Sequence, residues 1–471
     1  MGKLIKPNYL GKTMADIKES IYRELVSITN GHVTREPEEL CCYSYDATGR
    51  FFLPHAVVFP AVSHEVAEIV KIAAKEGIPL IPRGSGSGMT GGSLPVKGGI
   101  VIATSRMNRI IEIDDETLVA RVEPGVITGN FHHAVEKKGL FYPPDPASSS
   151  FCTIGGNLGE CAGGPRAVKY GVTRDYVLGL EAVLPSGNII NTGVKTAKGV
   201  AGYDLTRLIV GSEGTLAIVT QATLKLLPLP EAVKTMAALF PSIHKAASAV
   251  SSIIKDAVIP RCVEFLDRSS IACVRDRFGF HVPDDIEAIL IIEVDGSCGV
   301  VEEDGKNLET FCVKKGANRV ITAADKAEAS TLWAARKALS SALFRMAPDK
   351  INEDIVVPIN RIPEMVLRIE RIQKRTGLPV VSFGHAGDGN IHCNIMYDKR
   401  YKDAQNLAES AVDELFEATL ELGGTITGEH GVGITKMKYL PREIRENELK
   451  IMRGIKAVFD PGNILNPGKI F

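Results

Sequence analysis

The 471-residue chain carries 55 Lys and Arg against 56 Asp and Glu, a formal net charge of -1, with 45% hydrophobic and 24% charged residues. That length exceeds what one ordinary core organises, so two domains are expected, and the composition is that of a globular protein. The basic residues are spread along the chain, which argues against a nucleic-acid partner, and no run of 18 apolar residues offers a membrane span.

The opening MGKLIKPNYLGKTMADIKES has no apolar signal core and carries acidic residues, and Lys6 spoils a myristoylation pattern. A cytoplasmic protein is expected, free or held at a membrane's periphery through a partner. The nine cysteines, an odd number with no C-x-x-C, read as reduced thiols and argue against a locally ligated iron–sulfur cluster.

A helical lead-in is expected over residues 1–40. In SHEVAEIVKIAAKEGIPLIP, Val66, Ile69, Val70 and Ala73 recur at helical spacing, with Ser63 expected to cap the start and Gly77 to end the helix. IPLIP follows as strand and runs into RGSGSGMTGGS. GGIVIAT and LVARVEPG read as strands and NFHHAVEKKG as helix. A glycine-rich region covers residues 153–214, and TLAIVTQATLKLL closes this part as strand. LPLPEA marks the expected domain boundary, because Pro228 and Pro230 together stop helix and sheet alike. Beyond it KTMAALF, RCVEFLD and EAILIIEVDG alternate with amphipathic helical stretches, an α+β pattern. The expected organisation is therefore 1–228, 229–440 and a docked C-terminal segment, 441–471.

PRGSGSGMTGG satisfies G-x-G-x-x-G at Gly86, Gly88 and Gly91, but a Rossmann turn must open a helix. Pro95, Gly98 and Gly99 break any helix there, so a nicotinamide site is rejected. The loop reads instead as an anion-binding nest of backbone N–H groups, with hydroxyls from Ser85, Ser87 and Thr90. Two further glycine-rich stretches, TIGGNLGECAGG and GSEGTLAIV, point with it to one large, flat, phosphate-bearing ligand.

GHAGDGNIHCNI, residues 384–395, carries the chemistry. His385 and His392 lie seven residues apart and would face opposite sides of a continuous strand. AGDGN reads as a turn, with Asp388 and Asn390 as turn formers, and a hairpin folded there brings both imidazoles to one side. His392 and Asn394 share a face of the second strand. With Glu429 from TGEHGVG the two histidines would make a three-ligand metal site with open positions, suited to zinc but also to iron or manganese. On the helix ASTLWAARKALSSALFRM, Arg336 and Ser340 stand one turn apart, and Arg336 offers a bidentate fork for a carboxylate.

PRGSGSGMTGG, PPDPASSSFCTIGGN, AGGPRAVKYGVTRDYVLGLEAVLPSG and GYDLTRLIVGSEGTLAIVT resemble the flavin domain of the vanillyl-alcohol oxidase / p-cresol methylhydroxylase superfamily. With GHAGDGNIHCN, TGEHGVG and LNPGK, the chain is similar from Tyr43 onward to its D-2-hydroxy-acid branch. That branch holds glycolate oxidase flavoprotein subunits, FAD-linked D-lactate dehydrogenases and D-2-hydroxyglutarate dehydrogenases. The resemblance implies a two-domain α+β flavoprotein with a cap domain over FAD. Some members attach the flavin through a His or Cys, and PRGSGSGMTGG has neither, although Cys152 and Cys161 stand beside TIGGN, so non-covalent FAD is expected.

By that resemblance Pro82, Arg83, Gly84, Ser85, Gly86, Ser87, Gly88 and Thr90 hold the FAD diphosphate. Asp145, Thr153, Gly156, Asn157, Gly163 and Gly164 lie along the isoalloxazine and its linker. Glu213, Gly214 and Ile218 fall on the adenosine side, and Asn466 returns to the flavin. His385, His392 and Glu429 match the metal ligands, His430 the catalytic base and Arg336 the substrate arginine, with Lys350 before INEDIVVP a second substrate cation; Ser340 and Asn394 are further candidates for the site. The expected reaction is oxidation of a 2-hydroxy acid. No Rossmann context, C-x-x-C run or cysteine-rich extension after LNPGKIF offers an onward electron route, so a partner is expected, an electron-transfer flavoprotein or an iron–sulfur subunit. Two other readings stand: a redox-neutral transferase resembling alkylglycerone-phosphate synthase, and a non-catalytic flavin subunit.

Overall fold

A computed structural model describes residues 17–196 and 198–471. Residues 1–16 of the expected lead-in lie outside that range; the rest forms the helices Glu19–Ile28 and Pro37–Cys42 with the short strand Val33–Thr34 between them. Val33–Thr34 edges a four-stranded sheet in the order Val33–Thr34, Ala56–Val58, Ile100–Ala103, Leu80–Arg83, whose last three strands are parallel. The helix Ser63–Glu76 buries Val66, Ala67, Ile69, Val70 and Ala73 against this sheet and ends on Gly77 in the left-handed region, φ +66°. Ser63 does not cap it. Ser63 is the first helical residue, and its hydroxyl donates to Glu181 Oε1 at 2.5 Å.

A second sheet of five antiparallel strands runs Ile110–Asp114, Val119–Val122, Ile218–Lys225, Val177–Val183, Ile189–Gly193. Residues 84–99 form no helix before the strand Ile100–Ala103, in keeping with the rejected Rossmann turn. Pro228 departs from the expectation: Leu227–Pro228 pairs antiparallel with Leu140–Phe141, an edge position where proline's missing N–H costs nothing.

Residues from Ala232 onward build a seven-stranded antiparallel sheet. Its order is Arg319–Thr322, Ala232–Phe240, Ala288–Gly296, Cys262–Asp267, Val380–His385, Asn390–Tyr397, Asp349–Val356. Alternation along each strand divides the side chains between two cores. Val263, Phe265, Ile391, Cys393 and Ile395 pack on one face with the helices Ile243–Asp256, Ile362–Thr376 and Lys402–Glu421. Leu266, Val381, Phe383 and Met396 pack on the other, under the helix Lys326–Ala342. Each Leu- or Ile-sized side chain so buried contributes about 2 kcal/mol. The same period places Glu264, His385, His392, Asn394, Asn352 and Asp354 on that second face, among apolar neighbours.

The C-terminal segment docks on the first sheet. Beyond the helix Glu446–Phe459, Leu80 N donates to Ile464 O and Asn466 N to Leu80 O, both at 2.7 Å. Asn466 Nδ2 donates to Gly92 O and Glu213 O, again at 2.7 Å.

Candidate functional site

The hairpin predicted in GHAGDGNIHCNI forms, with the turn Ala386–Asp388 and Gly389 at φ +87° joining strands Val380–His385 and Asn390–Tyr397. Phe383 pairs with His392 across it, so both imidazoles reach the same face, ring centroids 5.2 Å apart. Asn390 N donates to Asp388 Oδ1 at 3.3 Å, the turn-forming bond expected of that pair. Glu429 arrives on a separate loop, and its Oε1 lies 3.5 Å from both His385 Nε2 and His392 Nε2. The three donor atoms fall within 4.8 Å of one another. Ligands about 2.1 Å from a tetrahedral ion sit roughly 3.4 Å apart, which the two carboxylate–imidazole distances match.

The electrostatics point the same way. Burial opposes charge on His385, but Glu264 and Glu429 outweigh it and raise its pKa to about 10. Burial, followed by the charge on His385, lowers His392 to about 3. Burial would raise Glu429, yet the neighbouring His385 brings it down to about 2. The carboxylates thus demand a positive charge beside His385, and a metal ion is a competing way to meet that demand.

Two carboxylates absent from the sequence reading organise this site. Glu264 is fully buried, with Oε1 on His385 Nδ1 and Oε2 on Arg336 Nε. Asp354, also fully buried, accepts at Oδ2 from the backbone N–H of Gly428 (2.8 Å), Glu429 (2.7 Å) and His430 (2.9 Å). Its Oδ1 lies 3.3 Å from His430 Nδ1 and bonds Lys436 Nζ. One aspartate therefore fixes the loop carrying both Glu429 and His430. Glu264 between Val263 and Phe265 in the apolar run CVEFL is the signal that could have exposed it, since a charge in a fully buried strand needs partners.

Arg336, Ser340, His385, His392, Glu429, His430 and Asp145 line one cavity of about 440 Å³. Phe383 stacks beneath the Arg336 guanidinium, 4.7 Å from ring centroid to Cζ. Lys350 and Asn394 stand one layer behind: Lys350 Nζ donates to Ser340 Oγ at 2.8 Å, and Asn394 Oδ1 accepts from Asn352 Nδ2 at 2.6 Å. Arg166, Arg261, Glu293 and Trp333, not singled out from sequence, also line this cavity. Arg166 pairs with Asp145 at 3.1 Å, Arg261 lies 3.5 Å from Glu293, and Trp333 Nε1 donates to Glu293 at 2.6 Å.

A second cavity of about 770 Å³ is lined by Arg83, Gly84, Ser85 and Thr153, together with Tyr43, Ser105, Asn108 and Asn130. The three glycine-rich stretches meet beside it. A Cβ at Gly84 would lie 2.2 Å from Thr153 Oγ1, and one at Gly214 would lie 2.4 Å from Pro82. Gly86, at φ +69°, lies over the Arg83 guanidinium, and Gly88 O accepts from Ala47 N at 3.1 Å. Ser87 is half-buried on the same loop. Gly156 N donates to Thr153 Oγ1 at 3.2 Å, and Asn157 Nδ2 to Thr128 Oγ1 at 2.8 Å.

Gly163 and Gly164 carry this strip to the first cavity. A Cβ at Gly163 would lie 3.0 Å from Glu429 Oε2, and one at Gly164 would lie 2.3 Å from Asp145 O.

Several expected contacts turn inward instead. Thr90 Oγ1 donates to His430 O at 3.0 Å rather than facing a cavity. Glu213, expected on the adenosine side, uses its carboxylate on Val432 N (2.7 Å) and Gly433 N (2.8 Å); Ile218 is buried in the sheet core. Neither of these, nor Gly214 or Asn466, lines either cavity, and Pro82, Gly86, Ser87, Gly88, Gly156, Asn157, Gly163 and Gly164 stand behind the lining as well. Cys152 and Cys161 are buried, on Thr128 Oγ1 and Arg174 Nε, and also line neither cavity.

Three candidate metal donors and a buried arginine thus share one cavity, and a second cavity lies beside the glycine-rich stretches. The profile for the C-terminal domain of FAD-linked oxidases matches residues 229–470, and that for an FAD-binding domain matches residues 54–193. The chain belongs to the FAD-linked oxidase family. It is 49% identical to glycolate oxidase subunit GlcD of Bacillus subtilis over 91% of this chain and 92% of that one. A D-lactate dehydrogenase of Anaerostipes hadrus is 36% identical over 88% of this chain and 89% of its own. In fold the chain resembles p-cresol methylhydroxylase (TM-score 0.78, 18% identity, 96% of this chain and 97% of that one). It also resembles alkyldihydroxyacetonephosphate synthase (TM-score 0.75, 20% identity, 98% and 87%). Among the described residues no helix is long and apolar enough to cross a membrane.

Proposed function

We propose that this protein oxidises a D-2-hydroxy acid of the lactate, glycolate or 2-hydroxyglutarate class to the 2-oxo acid, using FAD and a divalent metal. The observation that carries this reading is the convergence of His385, His392 and Glu429 beside Arg336 in one cavity. His385, His392 and Glu429 would hold the metal, zinc before iron or manganese, and the Arg83–Gly88 loop with Thr153 would cradle non-covalent FAD. Bound there, the two groups supply a hydride acceptor and a charge that favours an alkoxide.

The chain's own residues do the rest. The terminal nitrogens of Arg336 bind the substrate carboxylate, with Phe383 beneath the guanidinium limiting its swing and excluding water. His430 presents Nδ1 to Asp354, which leaves Nε2 to take the hydroxyl proton. The substrate loses that proton and a C2 hydride, and the electron pair leaves through a partner redox protein, an electron-transfer flavoprotein or an iron–sulfur subunit. The subunit status in the glycolate oxidase relative's name supports such a partner.

The test is anaerobic reduction of the bound flavin by a panel of D- and L-2-hydroxy acids, with and without a chelator, followed by turnover with a dye, NAD or oxygen. Bleaching by one or more D-acids, lost on chelation and turning over with dye, is expected. A flavin that stays oxidised with every acid sinks the reading.

A further inference from the structure

Glu264 lies on the floor of the cavity, and its two oxygens are divided between the two working arms of the site. Oε1 takes His385 Nδ1 and Oε2 takes Arg336 Nε, across the register that pairs Glu264 with His385 on the neighbouring strand. We propose that Glu264 is a positioning residue that sets the metal-binding histidine and the carboxylate-binding arginine at one fixed spacing, an inference that rests on the function proposed above.

The reasoning is one of donors and acceptors. A carboxylate accepts at both oxygens, whereas an amide accepts at one end and donates at the other. His385 must carry its ring hydrogen on Nδ1 to meet Glu264, so the Nε2 lone pair is left facing His392 and Glu429. Arg336 is pinned by Nε, and among the described residues no carboxylate other than Glu264 pairs with its guanidinium. A 2-hydroxy acid presents its carboxylate and hydroxyl on adjacent carbons, so the groups that receive them must keep a short, constant separation. A single buried carboxylate touching both is the shortest rigid link available. Asp354 holds the Glu429–His430 loop but bonds neither His385 nor Arg336, so among the described residues Glu264 is the carboxylate that bonds both arms.

The test uses the FAD-loaded enzyme and reads two quantities: zinc affinity by competition with a chelator, and KM for the best hydroxy acid. Glu264→Gln is isosteric but cannot serve both partners. With its amide nitrogen toward His385, the imidazole must carry its hydrogen on Nε2 and lose the metal. With that nitrogen toward Arg336, two donors meet and the guanidinium is displaced. Zinc affinity should fall at least about tenfold, the usual cost of losing a ligand's hydrogen-bond partner, or KM should rise as much, with flavin content unchanged. Glu264→Asp keeps the charge and both acceptors but falls a methylene short of reaching both, and should show the same defects more mildly.

Wild-type zinc affinity and KM in both variants would overturn the inference. So would loss of flavin and fold in both, which would assign Glu264 to the core. A wild-type enzyme that neither binds zinc nor oxidises any hydroxy acid would overturn the proposed function and this inference with it. A competent wild type beside equally competent variants would overturn the inference alone.

Discussion

Replacing Asp354 by Ala should be among the most damaging single changes in the C-terminal half, and the structure gives its size. Lys436 is 1% exposed and bonds Asp354 Oδ1, so the substitution strands a buried ammonium. Breaking such a pair from one side costs about 3–5 kcal/mol. Glu353, 3.5 Å from Lys436 Nζ, softens that loss. The N–H groups of Gly428, Glu429 and His430 lose their shared acceptor as well, at about 1–3 kcal/mol for each donor that water does not reach. A net loss of about 4–5 kcal/mol is expected, a large share of the 5–15 kcal/mol typical of a folded domain. Denaturant unfolding of the FAD-loaded protein, followed by flavin release and far-ultraviolet circular dichroism, measures it. Lys436→Met added to Asp354→Asn should recover part of the loss, because removing both halves of a buried pair is cheaper than removing one. An Asp354→Ala protein within about 1 kcal/mol of wild type would refute the reasoning.

Three further outcomes are expected. His392→Ala should lose bound metal and keep FAD, whereas His430→Ala should keep both and lose about 10²–10⁴ in kcat; metal analysis beside steady-state rates separates the two. Arg336→Lys should raise KM about 10–100-fold with FAD retained, since an ammonium cannot reproduce the planar fork, and an unchanged KM would remove Arg336 from substrate binding. Burial lowers the Lys350 pKa to about 8, below the 10.4 of an exposed lysine. Between those values the unfolded chain binds the extra proton, so Lys350 should add to wild-type stability on raising the pH from 8 to 10; burial lowers Lys469 to about 8 as well, so Lys350→Met should reduce the gain in thermal scans without abolishing it.

Much of the fold was legible because the strands announce themselves as apolar runs and the turns as glycine and proline. GHAGDGNIHCNI shows both signals at once, and its hairpin follows from AGDGN alone. Arg336 and Ser340 were legible as a pair by helical spacing. Glu264 and Asp354 were not, because their roles depend on which strand pairs with which: Glu264 meets His385 at a separation of 121 residues, and no local pattern fixes that register. Thr90 was read as a ligand contact because its glycine-rich loop suggests a bound anion, and Glu213 because the family resemblance puts it on the adenosine side. The structure turns them toward the 428–436 loop, where their polar groups find backbone partners 219 or more residues away.

The docking of the C-terminal segment on Leu80 has a consequence in time. The strand Leu80–Arg83 and the glycine loop after it leave the ribosome early, whereas Asn466, the amide partner of Gly92 O and Glu213 O, is made nearly four hundred residues later. A nascent chain can complete the seven-stranded sheet and assemble His385, His392 and Glu429 while the glycine loop still lacks its last support. A chain that stops before Asn466 therefore leaves Gly92 O and Glu213 O without this amide, however completely the rest of the molecule has folded.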